Sequence, residues 1–253
     1  MSVIAVLAPP AVLQLAPPYD RFEPVPDLAA LTPDDLPNAA VLAVGLSPPY
    51  DAWREAAALV RELRARFPAS PVVVRAEGRS EADDDIRRMA AEAGARGAIG
   101  EGDTGPALRR ILTDASALPE QVLAWLSLRV PSLRTDVREM VGVIVERSPR
   151  FGEVGPLLGS MGRAERTART WFRRAGLPGP GKWLAVAHAV RAALRLQAEE
   201  KSPLLTLAVE CGYSDHSSLS RQSLRLFGAR PGVIRRTLGW EWLMHRWLTR
   251  AAV

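Results

Sequence analysis

Residues 204–235 read LLTLAVECGYSDHSSLSRQSLRLFGARPGVIR, the pattern of two short helices about a tight turn. Leu204, Leu207 and Ala208 share one face of the first helix, and Ala208 is small where a second helix must cross closely. Gly212 supplies the positive φ that a tight turn after a helix demands. Tyr213 follows as an aromatic plug, and Ser214 or Asp215 is placed to cap the next helix through its side-chain oxygen. In that helix Leu219 and Phe227 face inward, while His216, Ser217, Ser218, Ser220 and Arg221 lie early and largely off that face. Gly228 ends it and Pro231 opens another. Two helices joined by a short Gly-containing turn form a helix-turn-helix, whose second helix enters the DNA major groove by its N-terminal residues.

The stretch resembles the second helix-turn-helix of the AraC family of transcription regulators. Ala208, Gly212, Tyr213, Asp215, Ser217, Leu219, Arg221, Phe227, Gly228, Pro231 and Arg235 stand at the family's spacing. One departure is Ser223, where the family usually has a core Phe. The family carries two such motifs in one chain. Upstream, the sequence predicts a short helix over Phe151–Gly159, a turn at Ser160-Met161-Gly162 and a second helix over Arg163–Ala175. RTWFRRAG, followed by PGKWLAVAHAVRAAL, resembles the end of the first motif and its connecting helix. With Trp171 at the family's aromatic position, Arg169 falls on the Arg position and Thr167 replaces the expected Leu. The Gly179-Pro180 spacing then implies a one-residue insertion, and Gly155-Pro156 disturbs the preceding helix. The first motif is thus degenerate in scaffold, yet its reading helix is strongly basic, with Arg163, Arg166, Arg169, Arg173 and Arg174.

The resemblance implies an AraC-type double helix-turn-helix domain over 132–253, with a connecting helix around Trp183–Leu196. Held rigidly, its two recognition helices would reach successive major grooves of double-stranded DNA about 34 Å apart. The DNA-binding residues expected are Arg163, Glu165, Arg166, Arg169, His216, Ser217, Ser218, Ser220, Arg221 and Arg225. Arg221 and Arg169 suit guanine, because a planar guanidinium donates two hydrogen bonds to O6 and N7. Arg173, Arg174, Arg225, Arg235 and Arg236 suit phosphates. RNA polymerase or another regulatory protein is a further expected partner. The alternative is a protein-interaction adaptor whose degenerate helical half has no operator specificity.

Charge divides along the chain in the same sense. The net charge of +5 arises from 12 Lys+Arg and 18 Asp+Glu up to Glu120, and 21 and 10 after it, giving −6 and +11. Such asymmetry suggests that the second half meets a polyanion. At about 100–200 residues per domain, 253 residues hold one large or two modest domains.

The first half alternates apolar runs with helical stretches, although 10 of the 21 prolines lie in its first 50 residues. Strands are expected at Val3–Leu7, Val41–Leu46, from Pro71 to Val74 and at Gly97–Ile99, and helices over Ala52–Phe67, Glu81–Ala93 and Pro106–Asp114. Ser80 is placed to cap the second of these helices. That order predicts a parallel sheet between helices, and about five strands fit a flavodoxin-like layout over 1–116. A linker helix is expected over 117–131. The string from Ala52 to Leu112 resembles a response-regulator receiver domain in rhythm, but the receiver's chemistry is missing. Ala8-Pro9-Pro10 stands where an acidic pair belongs, Val44-Gly45-Leu46-Ser47 has no phospho-accepting Asp, Arg75 replaces Ser or Thr, and Glu101 replaces Lys. Without oxygen ligands magnesium has nothing to bind. The domain is therefore read as a pseudo-receiver that senses a ligand, contacts a protein or forms a homodimer, and is not phosphorylated on Asp.

Other chemistry finds little support. Asp83-Asp84-Asp85 lies in the first turn of an expected helix, where negative charge favours the dipole. Single Cys211 excludes an intrachain disulfide, and His188, His216 and His245 are far apart in sequence, so no metal or other cofactor is expected. Gly94–Gly105 is glycine-rich without the strand–GxGxxG–helix context of a nucleotide enzyme, and no catalytic residue is assigned. Of the last tryptophans, Trp240 and Trp247 are expected in the core and Trp242 on the opposite side. The longest apolar run, Ala39–Leu46, is far below the ~18 residues of a membrane helix. No Lys or Arg precedes Arg21, so a secretory signal is not expected and a cytoplasmic setting is.

Overall fold

The structure is a computed structural model, and it describes residues 2–6, 21–25, 31, 40–46, 52–78, 82, 84–100, 102–103 and 105–251. It divides into two compact units. The first joins Met1–Thr113 to Arg235–Trp242, and the second joins Asp114–Ile234 to Leu243–Val253. The first is α/β and the second is all-helical.

The first unit is built on a parallel sheet of β1 (Ser2–Val6), β2 (Arg21–Val25), β3 (Val41–Leu46), β4 (Val72–Ala76) and β5 (Ala98–Gly100). The strand order is β2-β1-β3-β4-β5. In register, Leu42 lies beside Val72 and Val74 beside Ala98. The central strands β3 and β4 are buried on both faces, which is why they read as unbroken apolar runs. Side chains alternate between those faces with period two. Leu42, Val44 and Leu46 pack with α1 (Trp53–Arg66) and α2 (Asp84–Ala93), while Val41, Ala43 and Val73 pack with α3 (Gly105–Thr113).

β2 is absent from the sequence expectation. Its RFEPV has no apolar run, and Pro24 is tolerated because β2 is an edge strand. Arg75 does not follow β4, as expected from sequence, but lies inside it, buried, with Glu77 3.5 Å away. Ala8-Pro9-Pro10, Ser47, Ser80, Asp83 and Glu101 lie outside the described residues. Asp84 and Asp85 pair with Arg87 and Arg88 on the exposed surface of α2.

Residues 235–242 were expected with the DNA-binding half, yet they pack into the first unit. Leu238 joins the second face of the sheet. Arg96 meets Glu241 at 3.4 Å with both side chains buried, and it donates to the Leu112 carbonyl at 2.8 Å. The Arg96 guanidinium also lies 5.6 Å from the Trp240 ring. Trp242 is buried as well, donating its indole N–H to the Thr237 carbonyl at 3.1 Å, and does not face away as the helical spacing suggested. That spacing misleads because Trp240 precedes the last helix and only Trp242 and Trp247 lie within it.

In the second unit, α4 (Leu118–Arg129) packs against α5 (Thr135–Arg147), with Leu118, Val122, Trp125 and Leu126 buried. It is therefore part of the domain and not a linker. The Leu123 side chain of α4 fills the space beside Gly142 of α5, where a Cβ would stand 2.9 Å from its tip. α5 buries Val137, Met140, Val141 and Ile144, the face its spacing predicts. After a 3-10 turn at Ser148–Arg150 come α6 (Val154–Ser160), α7 (Glu165–Arg174), α8 (Pro180–Ala198), α9 (Leu204–Glu210), α10 (His216–Phe227), α11 (Pro231–Arg236) and α12 (Glu241–Ala251). α8 is buried almost all round and packs against α5, α6, α7, α9 and α10. Trp183 of α8 meets Trp247 of α12 edge to face at 4.8 Å.

Candidate nucleic-acid interface

The turn between α9 and α10 is held by its backbone. Gly212 N–H donates to the Val209 carbonyl and Tyr213 N–H to the Ala208 carbonyl, both at 2.9 Å. Gly212 has φ +82°, and a Cβ there would meet nothing within 4 Å, so conformation and not space demands glycine. Of the two possible caps, Asp215 is the one used. Its Oδ1 accepts from the Ser218 amide at 2.7 Å, while the Ser214 hydroxyl donates to Oδ2 at 3.1 Å. The Ser218 amide, with the neighbouring hydroxyls, holds the Asp215 carboxyl below the usual aspartate range.

α10 has two distinct sides. Leu219, Ser223, Leu226 and Phe227 are buried, and Gln222 donates to the Ala185 carbonyl of α8 at 3.3 Å. His216, Ser217 and Arg221 are exposed, with Ser218 and Ser220 half-buried beside them. Arg221 donates to Ser218 Oγ at 3.2 Å, which leaves the rest of its donor fork turned to solvent. Ser220 Oγ donates back to the His216 carbonyl at 2.8 Å. Arg225 is not part of this group. It sits in the last turn, about 13 Å along the axis from His216 at 1.5 Å per residue.

α6 and α7 repeat the same turn. Gly162 has φ +66°, its N–H donates to the Gly159 carbonyl at 3.0 Å, and Arg163 N–H donates to the Leu158 carbonyl at 2.9 Å. α7 starts after Ala164, which offers no side-chain cap. Arg166 and Arg169 are exposed and Glu165 is half-buried, paired with Arg169 one turn on. The exposed Arg163 and Arg134 stack on the Trp171 indole, with guanidinium carbons 5.4 and 5.8 Å from the ring centroid.

That stacking corrects the sequence register. Phe172, not Trp171, is the fully buried aromatic of α7, with Ala168 one turn before it. Counted from the caps, Phe172 matches Ser223, Ala168 matches Leu219 and Thr170 matches Arg221. Pro180 then stands as far after Phe172 as Pro231 does after Ser223, so no insertion precedes the connecting helix. The difference between the motifs is one residue fewer between Gly162 and its helix. The adjacent Trp171-Phe172 pair offers two aromatics for one core slot, and sequence alone takes the wrong one.

Elsewhere in this unit, burial pushes the Cys211 thiol up, which disfavours the reactive thiolate. The Tyr213 phenol is pushed up to about 12 by burial, and its oxygen has no hydrogen-bond partner. His188 meets the Phe151 carbonyl and His245 meets Arg129. Among the described residues, no group of three or more His, Cys, Asp or Glu is placed to hold a metal ion, and no helix is long and apolar enough to cross a membrane. No family model matches the chain, and neither does any curated protein or solved structure.

Proposed function

We propose that this chain is a sequence-specific DNA-binding transcription regulator of the AraC type, acting by binding and not by catalysis. The observation that carries the reading is α10: a Gly212 turn, an Asp215 cap, an apolar inner side and His216, Ser217 and Arg221 exposed at the N-terminal end. A recognition helix needs that division, since its inner side fixes orientation and its first turns read base edges. α7 supplies a second, more basic helix after the same turn, and α8 packs against both pairs, as a rigid connector must. At 1.5 Å per residue α8 is about 28 Å long, close to the span of one turn of duplex. The net +11 of the residues after Glu120 favours the polyanion partner.

In this reading α10 specifies sequence through Arg221, His216 and the serines, while α7 contributes chiefly phosphate affinity through Arg163, Arg166 and Arg169. The strand order β2-β1-β3-β4-β5 supports a flavodoxin-like pseudo-receiver as the first domain. Its role would be sensing, protein contact or homodimerisation in a cytoplasmic regulator that also meets RNA polymerase or another regulatory protein. The test is a binding titration of the full chain on a duplex enriched from random sequence and on its shuffled counterpart, at two salt concentrations. The enriched duplex should bind at least about 10³-fold more tightly. Equal affinity for both would favour the adaptor reading.

A further inference from the structure

The last turn of α10, the first turn of α8 and the last turn of α12 border an open pocket of about 510 Å³ in the helical unit. Three cations line it: Lys182 of α8, Arg225 of α10 and Arg250 of α12. No carboxylate does so among the described residues, and none of the three cations makes an ion pair there. Arg134, Arg169 and Arg195 of the same unit, by contrast, each hold an acid. Like charges gathered around one space repel one another, so an anion entering it meets a site already charged to receive it. The Arg250 guanidinium lies against Gly228, in the space that a Cβ there would take. The first turn of α8 adds Gly181 to the wall, and no side chain caps it.

The floor is apolar. Trp247 and Leu226 line it while being almost wholly buried, and Ala185 lies beside them. Trp247 is fixed by its edge-to-face contact with Trp183. A site of this size, mostly apolar with a few converging polar groups, has the make-up of small-molecule pockets.

We propose that this pocket binds a small organic anion, its carboxylate, sulfonate or phosphate held by Lys182, Arg225 and Arg250 and its apolar body laid on Trp247, Leu226 and Ala185. The inference is independent of the DNA-binding reading. It reassigns Arg225 from the expected DNA contacts to this site. A bound anion would touch α8, α10 and α12 together, and so bear on the seat of α10.

The full chain is titrated with 8-anilinonaphthalene-1-sulfonate, an aromatic sulfonate that fluoresces on transfer to an apolar site. One saturable site per chain is expected. Its affinity should fall at least about tenfold in the K182Q/R225Q/R250Q triple variant, as lost charge-assisted hydrogen bonds require. Uncharged N-phenyl-1-naphthylamine should bind the wild-type chain at least about tenfold more weakly than the sulfonate, a readout that holds even if the triple variant unfolds. K182Q, at an exposed side chain, should show a smaller loss in the same direction. No saturable binding, equal affinity for the uncharged probe, or unchanged binding in a folded triple variant would overturn the proposal. Competitive displacement of the sulfonate by random-sequence duplex would also overturn it, because the cations would then belong to the DNA backbone.

Discussion

The helix pairs α6–α7 and α9–α10 share a turn and differ in almost everything mounted on it. Both pairs place a glycine at positive φ, Gly162 and Gly212, with the same pair of backbone hydrogen bonds across the turn. After that point α10 has a side-chain cap, an inner Leu219 and Ser223, and a mostly neutral outer side with one central arginine. α7 has no cap, an inner Ala168 and Phe172, and an outer side crowded with arginines. The backbone of the motif is thus set by a few local rules, while the chemistry presented outward is free to vary. A helix rich in arginine suits the sequence-independent phosphate lattice, whereas one central arginine among hydroxyls suits base edges.

The inner positions give the largest test of this contrast. Phe172→Ala should destabilise the helical unit by about 3–5 kcal/mol, because it empties a fully buried aromatic site. Ser223→Ala, at the matched position, should change stability by no more than about 1 kcal/mol. Trp171→Ala should cost less than Phe172→Ala, since Trp171 is half-exposed under its arginines. Denaturant unfolding of the three variants checks the register. A larger loss for Trp171→Ala would restore the alignment first drawn from sequence.

The outer positions come next. Arg221→Ala should cost about 1–3 kcal/mol on the preferred duplex and little on a shuffled one. Arg166→Ala should weaken both duplexes alike and lower the salt slope by about one. Anisotropy titrations over a salt series separate the two outcomes, and a uniform loss for Arg221→Ala would place it on the backbone with α7.

The caps sharpen the comparison further. Ala164→Asp should give α7 the cap it lacks and stabilise the unit by about 1 kcal/mol. Asp215→Ala should lower Tm by a few degrees. The Asp215 carboxyl is held below its ordinary pKa, so its contribution is complete above that ordinary value and is lost as pH falls through the lowered one. The Tm advantage of wild type over Asp215→Asn should therefore shrink below about pH 4. The smallest effect is expected at the turn itself. Tyr213→Phe should be neutral or slightly stabilising in thermal unfolding, because the buried phenol oxygen has no partner to lose.

The segment over 204–235 was legible almost to the residue, because Gly212, Asp215, Gly228 and Pro231 are local signals with local causes. The central strands were legible for a similar reason, since burial on both faces writes an apolar run. β2 was not, because RFEPV owes its place to pairing with β1 alone. The return of residues 235–242 to the first unit was hidden too, since Arg96 and Glu241 meet across 145 positions of sequence. At the candidate interface, sequence placed His216, Ser217 and Arg221 off the apolar face of α10, where the structure has them exposed, but misaligned α7 by one residue. Its periodicity cannot choose between Trp171 and Phe172, and only packing does.

The central claim is that one chain reads two grooves with unequal helices, α10 specifying and α7 gripping. Selection of duplexes from a random pool by the full chain tests it most directly. The account predicts two enriched boxes with centres about 10–10.5 base pairs apart, the box under α10 strongly defined and the one under α7 weakly so. A pool that emerges without sequence preference would contradict it.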